Sequence, residues 1–107
     1  MIIYNVTIKV DASIAESWLQ WLLDKHIPDV MQTACFSNYK AVQLLEVDDS
    51  EGPTYAIQFT AASKAHYNSY MENHAPAMRQ KSIDKWGGRF IAFRSAMQVI
   101  EEGSHKH

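Results

Sequence analysis

The 107-residue sequence holds one cysteine, three prolines and four glycines. Cys35 alone can close no disulfide within the chain and build no cysteine-based zinc site. No run approaches the roughly 20 apolar residues of a membrane-crossing helix. The first residues lack both the basic segment and the apolar core of a secretion signal. These absences set the expectation of a cytoplasmic protein with no membrane partner. Neither sign of charge dominates, since 10 Lys and Arg stand against 12 Asp and Glu. The basic footprint of a general nucleic-acid binder is therefore missing, and no nucleic-acid partner is expected.

What the sequence does have is apolar surface, with 47% of its residues hydrophobic. A chain of this length can bury about two-thirds of its unfolded surface in one domain, without staples. Residues 2–10 alternate as a strand does. Ile2, Tyr4, Val6, Ile8 and Val10 share one face; Ile3, Asn5, Thr7 and Lys9 share the other. Ser13-Ile14-Ala15-Glu16 fits a capping box. A helix wound from it sets Ala15, Trp18, Leu19, Leu22, Leu23 and His26 on one stripe. Pro28 removes an amide and disfavours helical geometry at Ile27. That predicts a kink or break at 26–28, then a short helical turn through Met31.

A second strand is expected within 36–47, an acidic turn at 46–53 and a third strand over 54–60. Ser63 caps a second helix that carries Tyr67, Tyr70 and Met71 inward. Pro76 interrupts it, and it resumes to Trp86, where Gly87-Gly88 stops it. The last strand spans 90–100. Residues 1–100 thus form a single domain, and 101–107 a frayed tail. The order β-α-β-β-α-β predicts an α+β ferredoxin-like sandwich, one four-stranded antiparallel sheet with the helices on one face. The other face should then be polar, and it is not. Ile91, Phe93, Met97 and Val99 lie opposite Phe90, Ala92, Ala96 and Ile100. A second copy packed sheet to sheet would cover that face, so a homodimer through it is expected.

Several segments carry a family likeness. Ile2-Ile3-Tyr4-Asn5-Val6-Thr7, Trp18-Leu19-Gln20-Trp21, His26-Ile27-Pro28 and Thr54-Tyr55 form one part of it. Tyr70, His74-Ala75-Pro76-Ala77 and Phe90-Ile91-Ala92-Phe93-Arg94 form the other. Together, over residues 2–100, they resemble the uncharacterised bacterial family domain of unknown function 4286. The resemblance implies a ferredoxin-like domain of the dimeric α/β-barrel group, with no assigned activity. That wider group includes small monooxygenases of the antibiotic-biosynthesis and haem-degrading type. Asn5 is the residue that matches the haem-degrading pattern. The tryptophan before the second helix and the late-helix histidine of that pattern are missing.

His26 places a polar ring on an apolar stripe, which is expensive unless the ring is satisfied. It reads as a pocket histidine, acting as base or donor. It also reads as a cap that donates to a carbonyl freed by Pro28, a common role for helix-end histidines. His74, in the matching His-x-Pro of the second helix, has the same two readings. The two helix ends lie at opposite sheet edges, so these histidines share no ion. His66 and His74 stand about 12 Å apart along a helix, and His105 and His107 lie in the tail. No metal and no cofactor are expected. Cys35, between Ala34 and Phe36, reads as a buried inert thiol.

Trp18, Trp21, Tyr67 and Tyr70 have the spacing of ordinary core aromatics. Trp21 lies off the stripe, which suits a subunit contact or a pocket rim. Arg79, Lys81, Lys85, Arg89 and Arg94 oppose only Asp84, as a solvated face would. Within that segment Arg89 and Arg94 are the anion-contact candidates. The candidate pocket is Tyr4, Asn5, Trp18, His26, Tyr70 and His74. It would take a small apolar or aromatic molecule between helices and sheet, with His26 as polar anchor. Two other readings stand beside this one. One is a cofactor-free monooxygenase or isomerase using His26 or Asn5 beside an enclosed cavity. The other is an interaction module without ligand.

Overall fold

The computed structural model describes residues 1–105. The last two residues of the expected tail, His107 among them, lie outside the described residues. The chain forms β1 (Ile2–Val10), a 3-10 turn (Ala12–Ile14), α1 (Ala15–Trp21), a π-helical turn (Leu22–His26) and α2 (Ile27–Met31). It continues with β2 (Asn38–Gln43), β3 (Thr54–Ala61), α3 (Lys64–Asn73), α4 (Ala75–Trp86) and β4 (Phe90–Gln98). The strands lie in the order β2-β3-β1-β4, and every neighbouring pair is antiparallel. Each helical crossover therefore leaves a gap that another strand fills, which is the ferredoxin-like arrangement. Among the described residues, no helix is long and apolar enough to cross a membrane.

The alternation of β1 fixes which face meets the helices. Tyr4, Ile8 and Val10 are buried there, next to Phe59 and Ile57 of β3. Trp18, Leu22, Ile27, Val30, Tyr70 and Met78 close over them. Tyr4 is the hub of an aromatic cluster. Its ring centroid lies between 5.8 and 6.4 Å from those of Phe36, Phe59, Tyr67 and Tyr70. Offset and tilted pairs of this kind add about 0.5–1.5 kcal/mol each beyond burial.

Two local expectations are corrected. The helix start is capped by Asp11, not by a box on Ser13. The Asp11 carboxylate accepts from the Ser13 amide at 2.8 Å and from the Ser13 hydroxyl at 2.7 Å. A charged acceptor outcompetes a hydroxyl, so Ser13 becomes donor rather than cap. The first helix, in turn, does not break at Pro28 but widens just before it, and the expected helical turn through Met31 is α2. Ile27 keeps helical angles of φ −61° and ψ −46°. Its amide bonds back to Leu22 O, five residues earlier. This wider π turn relieves the clash between the proline ring and the carbonyl of Asp24, four residues before it. The second His-x-Pro does break, with His74 at φ −126° between α3 and α4.

The acidic turn docks onto the end of β1. Val10 N donates to Pro53 O at 3.0 Å and Ala12 N to Glu51 O at 2.9 Å. Gly52 makes that approach possible. At φ +147°, a Cβ there would sit 1.8 Å from Val10 O. The opposite face of the sheet remains apolar at β4. Ile91, Phe93 and Met97 stand beside Lys9, Thr7 and Ile3, and Phe93 is 68% exposed.

Candidate functional site

The π turn decides where His26 points. Widening one turn changes the rotational register of everything downstream. Ile27 and Val30, after the turn, are buried, and Leu23, at its start and expected on the inner stripe, is half exposed. The His26 ring lies against Trp21, with centroids 4.8 Å apart and planes inclined by 26°. Trp21 in turn meets the edge of Trp86 at 5.9 Å. Trp21 also lines the surface groove shared with Glu16, Gln20, Asp24, Lys85 and Trp86. His26 Nδ1 is buried and has no hydrogen-bond partner. The bond that would make Nδ1 a helix cap is therefore absent. Burial pushes the His26 pKa down from 6.5 to about 4. Asp29 opposes this shift, while Lys81 and Arg94 add to it, so the ring is neutral near pH 7.

Beside His26 lies a cavity of about 40 Å³ between the helices and the sheet. It has room for about two or three water molecules. Tyr4, Val6 and Ile8 of β1, Phe59 of β3, and Phe90, Ala92 and Arg94 of β4 form its sheet side. His26, Val30, Tyr70, Met78 and Arg79 form its helix side. Arg79 Nη2 donates to the Tyr4 hydroxyl at 3.4 Å, and Arg79 Nε is buried without a partner. Among the described residues neither Arg79 nor Arg94 is paired with a carboxylate. The Asp29 carboxylate is already engaged by Lys25 and Lys81, each at 3.6 Å. Burial holds the Tyr70 phenol above its ordinary pKa; Tyr4 reinforces that, and Arg79 and Arg94 oppose it.

The structure thus brings Tyr4, His26, Tyr70 and Arg94 to one cavity and leaves the other candidates elsewhere. Asn5 points to the opposite face of the sheet, where its amide donates to Thr7 Oγ1 at 3.0 Å. Trp18 is core, stacked on Tyr55 at 5.6 Å. His74 sits at the break between α3 and α4, stacked 6.1 Å from Tyr70 and off the cavity wall. Arg89 lies at the other end of β4, in a shallow pocket with Lys9, Asp11 and Glu51. Cys35 is buried, its thiol 3.6 Å from Thr33 O. Among the described residues, no three His, Cys, Asp or Glu side chains gather as a metal site would require.

Arg79 was hidden in the sequence by its charged neighbours Lys81 and Lys85. Helical spacing was the available signal. Arg79 lies four residues after Ala75 and one after Met78, and both are buried.

Comparison with solved structures finds the same architecture at low identity. HapK from Hahella chejuensis is 10% identical with a TM-score of 0.70, and the match covers 100% of both chains. A dimeric ferredoxin-like protein from an uncultured marine organism is 13% identical, with a TM-score of 0.70 over 98% of this chain and 100% of that one. A candidate antibiotic biosynthesis monooxygenase from Nitrosomonas europaea is 9% identical, with a TM-score of 0.65 over 94% and 100%. Likeness at these identities is likeness of fold. No curated protein matches the sequence. The family profile for the Domain of unknown function (DUF4286) matches residues 1–100, and the chain belongs to that family.

Proposed function

We propose that this protein is a cytoplasmic homodimer that binds a small, largely apolar or aromatic molecule in the cavity beside His26. The observation that carries this reading is His26 Nδ1, buried and unpartnered on a cavity wall. A buried polar group without a partner costs about 1–3 kcal/mol, and folded proteins keep few of them. A ligand that reaches Nδ1 as the wall adjusts supplies the missing bond and removes that penalty. The walls from Val6, Ile8, Phe59, Met78 and Phe90 suit an apolar body. A cavity of about 40 Å³ is smaller than the ~150 Å³ that holds a benzene ring. A ring therefore enters only if a wall side chain yields.

The dimer is supported by the exposed row Ile91, Phe93 and Met97 and by the likeness to dimeric ferredoxin-like proteins. A cytoplasmic setting would keep the buried Cys35 thiol reduced. Proton abstraction is less well supported than binding. A histidine held at about pKa 4 is a weak base, and Asn5 lies on the other face of the sheet. The test is a fragment screen by thermal shift, run on wild type and His26→Phe. Fragments that stabilise only the wild type are expected. Fragments that stabilise both proteins equally would overturn the reading.

A further inference from the structure

The charged side chains that line this cavity are two arginines, Arg79 and Arg94. The Arg79 guanidinium bonds to the Tyr4 hydroxyl, and among the described residues neither Arg79 nor Arg94 is paired with a carboxylate. The Tyr4 hydroxyl already accepts from Arg79, so its own proton is available to donate. Among the described residues no acidic side chain lines the cavity, and the Asp29 beside His26 is held by Lys25 and Lys81. Two guanidinium groups thus border a small, mostly apolar space with no counter-charge of their own. Arg79 is half-buried and Arg94 exposed, so an anion there meets a charge less screened than in bulk water on the Arg79 side. The planar fork of arginine matches a carboxylate, with two oxygens for two N–H groups. The volume of about 40 Å³ accepts a flat three-atom group without moving the walls.

We propose that the polar end of the bound molecule is a carboxylate, held by Arg79 and Arg94 with the Tyr4 hydroxyl beside it. This rests on the cavity being a ligand site and adds the chemical class of the ligand. One consequence is measurable at a distance from the arginines. His26 now feels Lys81 and Arg94, and among the described residues Asp29 is the acid that opposes them. A carboxylate in the cavity supplies a second negative charge and favours the protonated ring. Binding should therefore move the His26 titration upward, toward its ordinary value.

The experiment is an NMR titration of ¹⁵N-histidine-labelled protein with sodium benzoate and sodium acetate. Their neutral counterparts, benzamide and acetamide, form the second arm. His26 is assigned by its absence in His26→Phe. At least one acid is expected to shift the His26 ring signals saturably and raise its pKa. The corresponding amide should bind at least about tenfold more weakly, the worth of one charge-assisted bond. Arg94→Gln, on an exposed strand position, should lose about the same factor, as should Arg79→Gln if it folds. Amides that bind as tightly as the acids would overturn the carboxylate and leave the cavity reading standing. Acid binding unchanged in Arg94→Gln would also overturn it. No response of His26 to any of the four probes would overturn both.

Discussion

His26→Phe probes both the burial of this histidine and the cavity next to it. Phenylalanine keeps the stack on Trp21, and its larger ring can expand into the adjoining space of about 40 Å³. It also removes the unpartnered Nδ1, so at pH 7 the variant should equal or exceed the wild type in stability, by about 1 kcal/mol. The pH dependence is the sharper signature. The folded protein holds the His26 pKa at about 4 against 6.5 for a free ring. At about 1.4 kcal/mol per unit, that difference is worth about 3 kcal/mol. Between these two values the unfolded chain binds the proton and the folded chain does not. Stability therefore falls as pH drops from 6.5 toward 4. About 2 kcal/mol of it should be gone by about pH 4.5. Urea unfolding of both proteins at pH 7 and about pH 4.5 isolates this term, because every other titrating group cancels in the comparison. The wild type should lose about 2 kcal/mol more than the variant. Equal losses would refute the placement of His26 in a desolvated wall.

Three further perturbations test the frame around the site. Gly52→Ala would place a Cβ 1.8 Å from Val10 O at a φ of +147°; it should cost at least about 2–3 kcal/mol by chemical denaturation, and a smaller loss would contradict the close docking of the acidic turn on β1. Asp11→Ala should cost about 1 kcal/mol and Ser13→Ala less, because Asp11 is the acceptor in both bonds; the reverse order would restore Ser13 as the cap. Phe93→Arg should convert a dimer to a monomer in light scattering at micromolar concentration, since it puts a charge in the middle of the exposed apolar row; an unchanged dimer would move the interface elsewhere.

Much of this was legible in the residues, and what was not has local physical causes. The strict alternation of residues 2–10 and the order of the elements define the sheet and its two faces. The same alternation already separated Asn5 from Tyr4. Adjacent strand residues cannot both face the helices, so only one of them could line the cavity. The π turn was not legible. Ordinary winding at 3.6 residues per turn put Leu23 inward, and only packing shows that the helix widens rather than breaks ahead of Pro28. The two His-x-Pro sequences look alike, yet His26 stays helical and His74 leaves the helix. Local sequence sets the strain in each case, and the surrounding core decides how it is relieved. Arg79 shows the same limit from the side of charge. Lys81 and Lys85, the charged residues that follow it, are exposed, while its own position on α4 faces Tyr4.

The most direct test of a dimer with a bound molecule beside His26 is native mass spectrometry of the protein and of His26→Phe, both purified from the host. The wild type should appear at about twice 12.2 kDa plus a small acidic molecule that is absent from the variant. A bare chain at the mass of one subunit, or identical bound mass in both proteins, would contradict it.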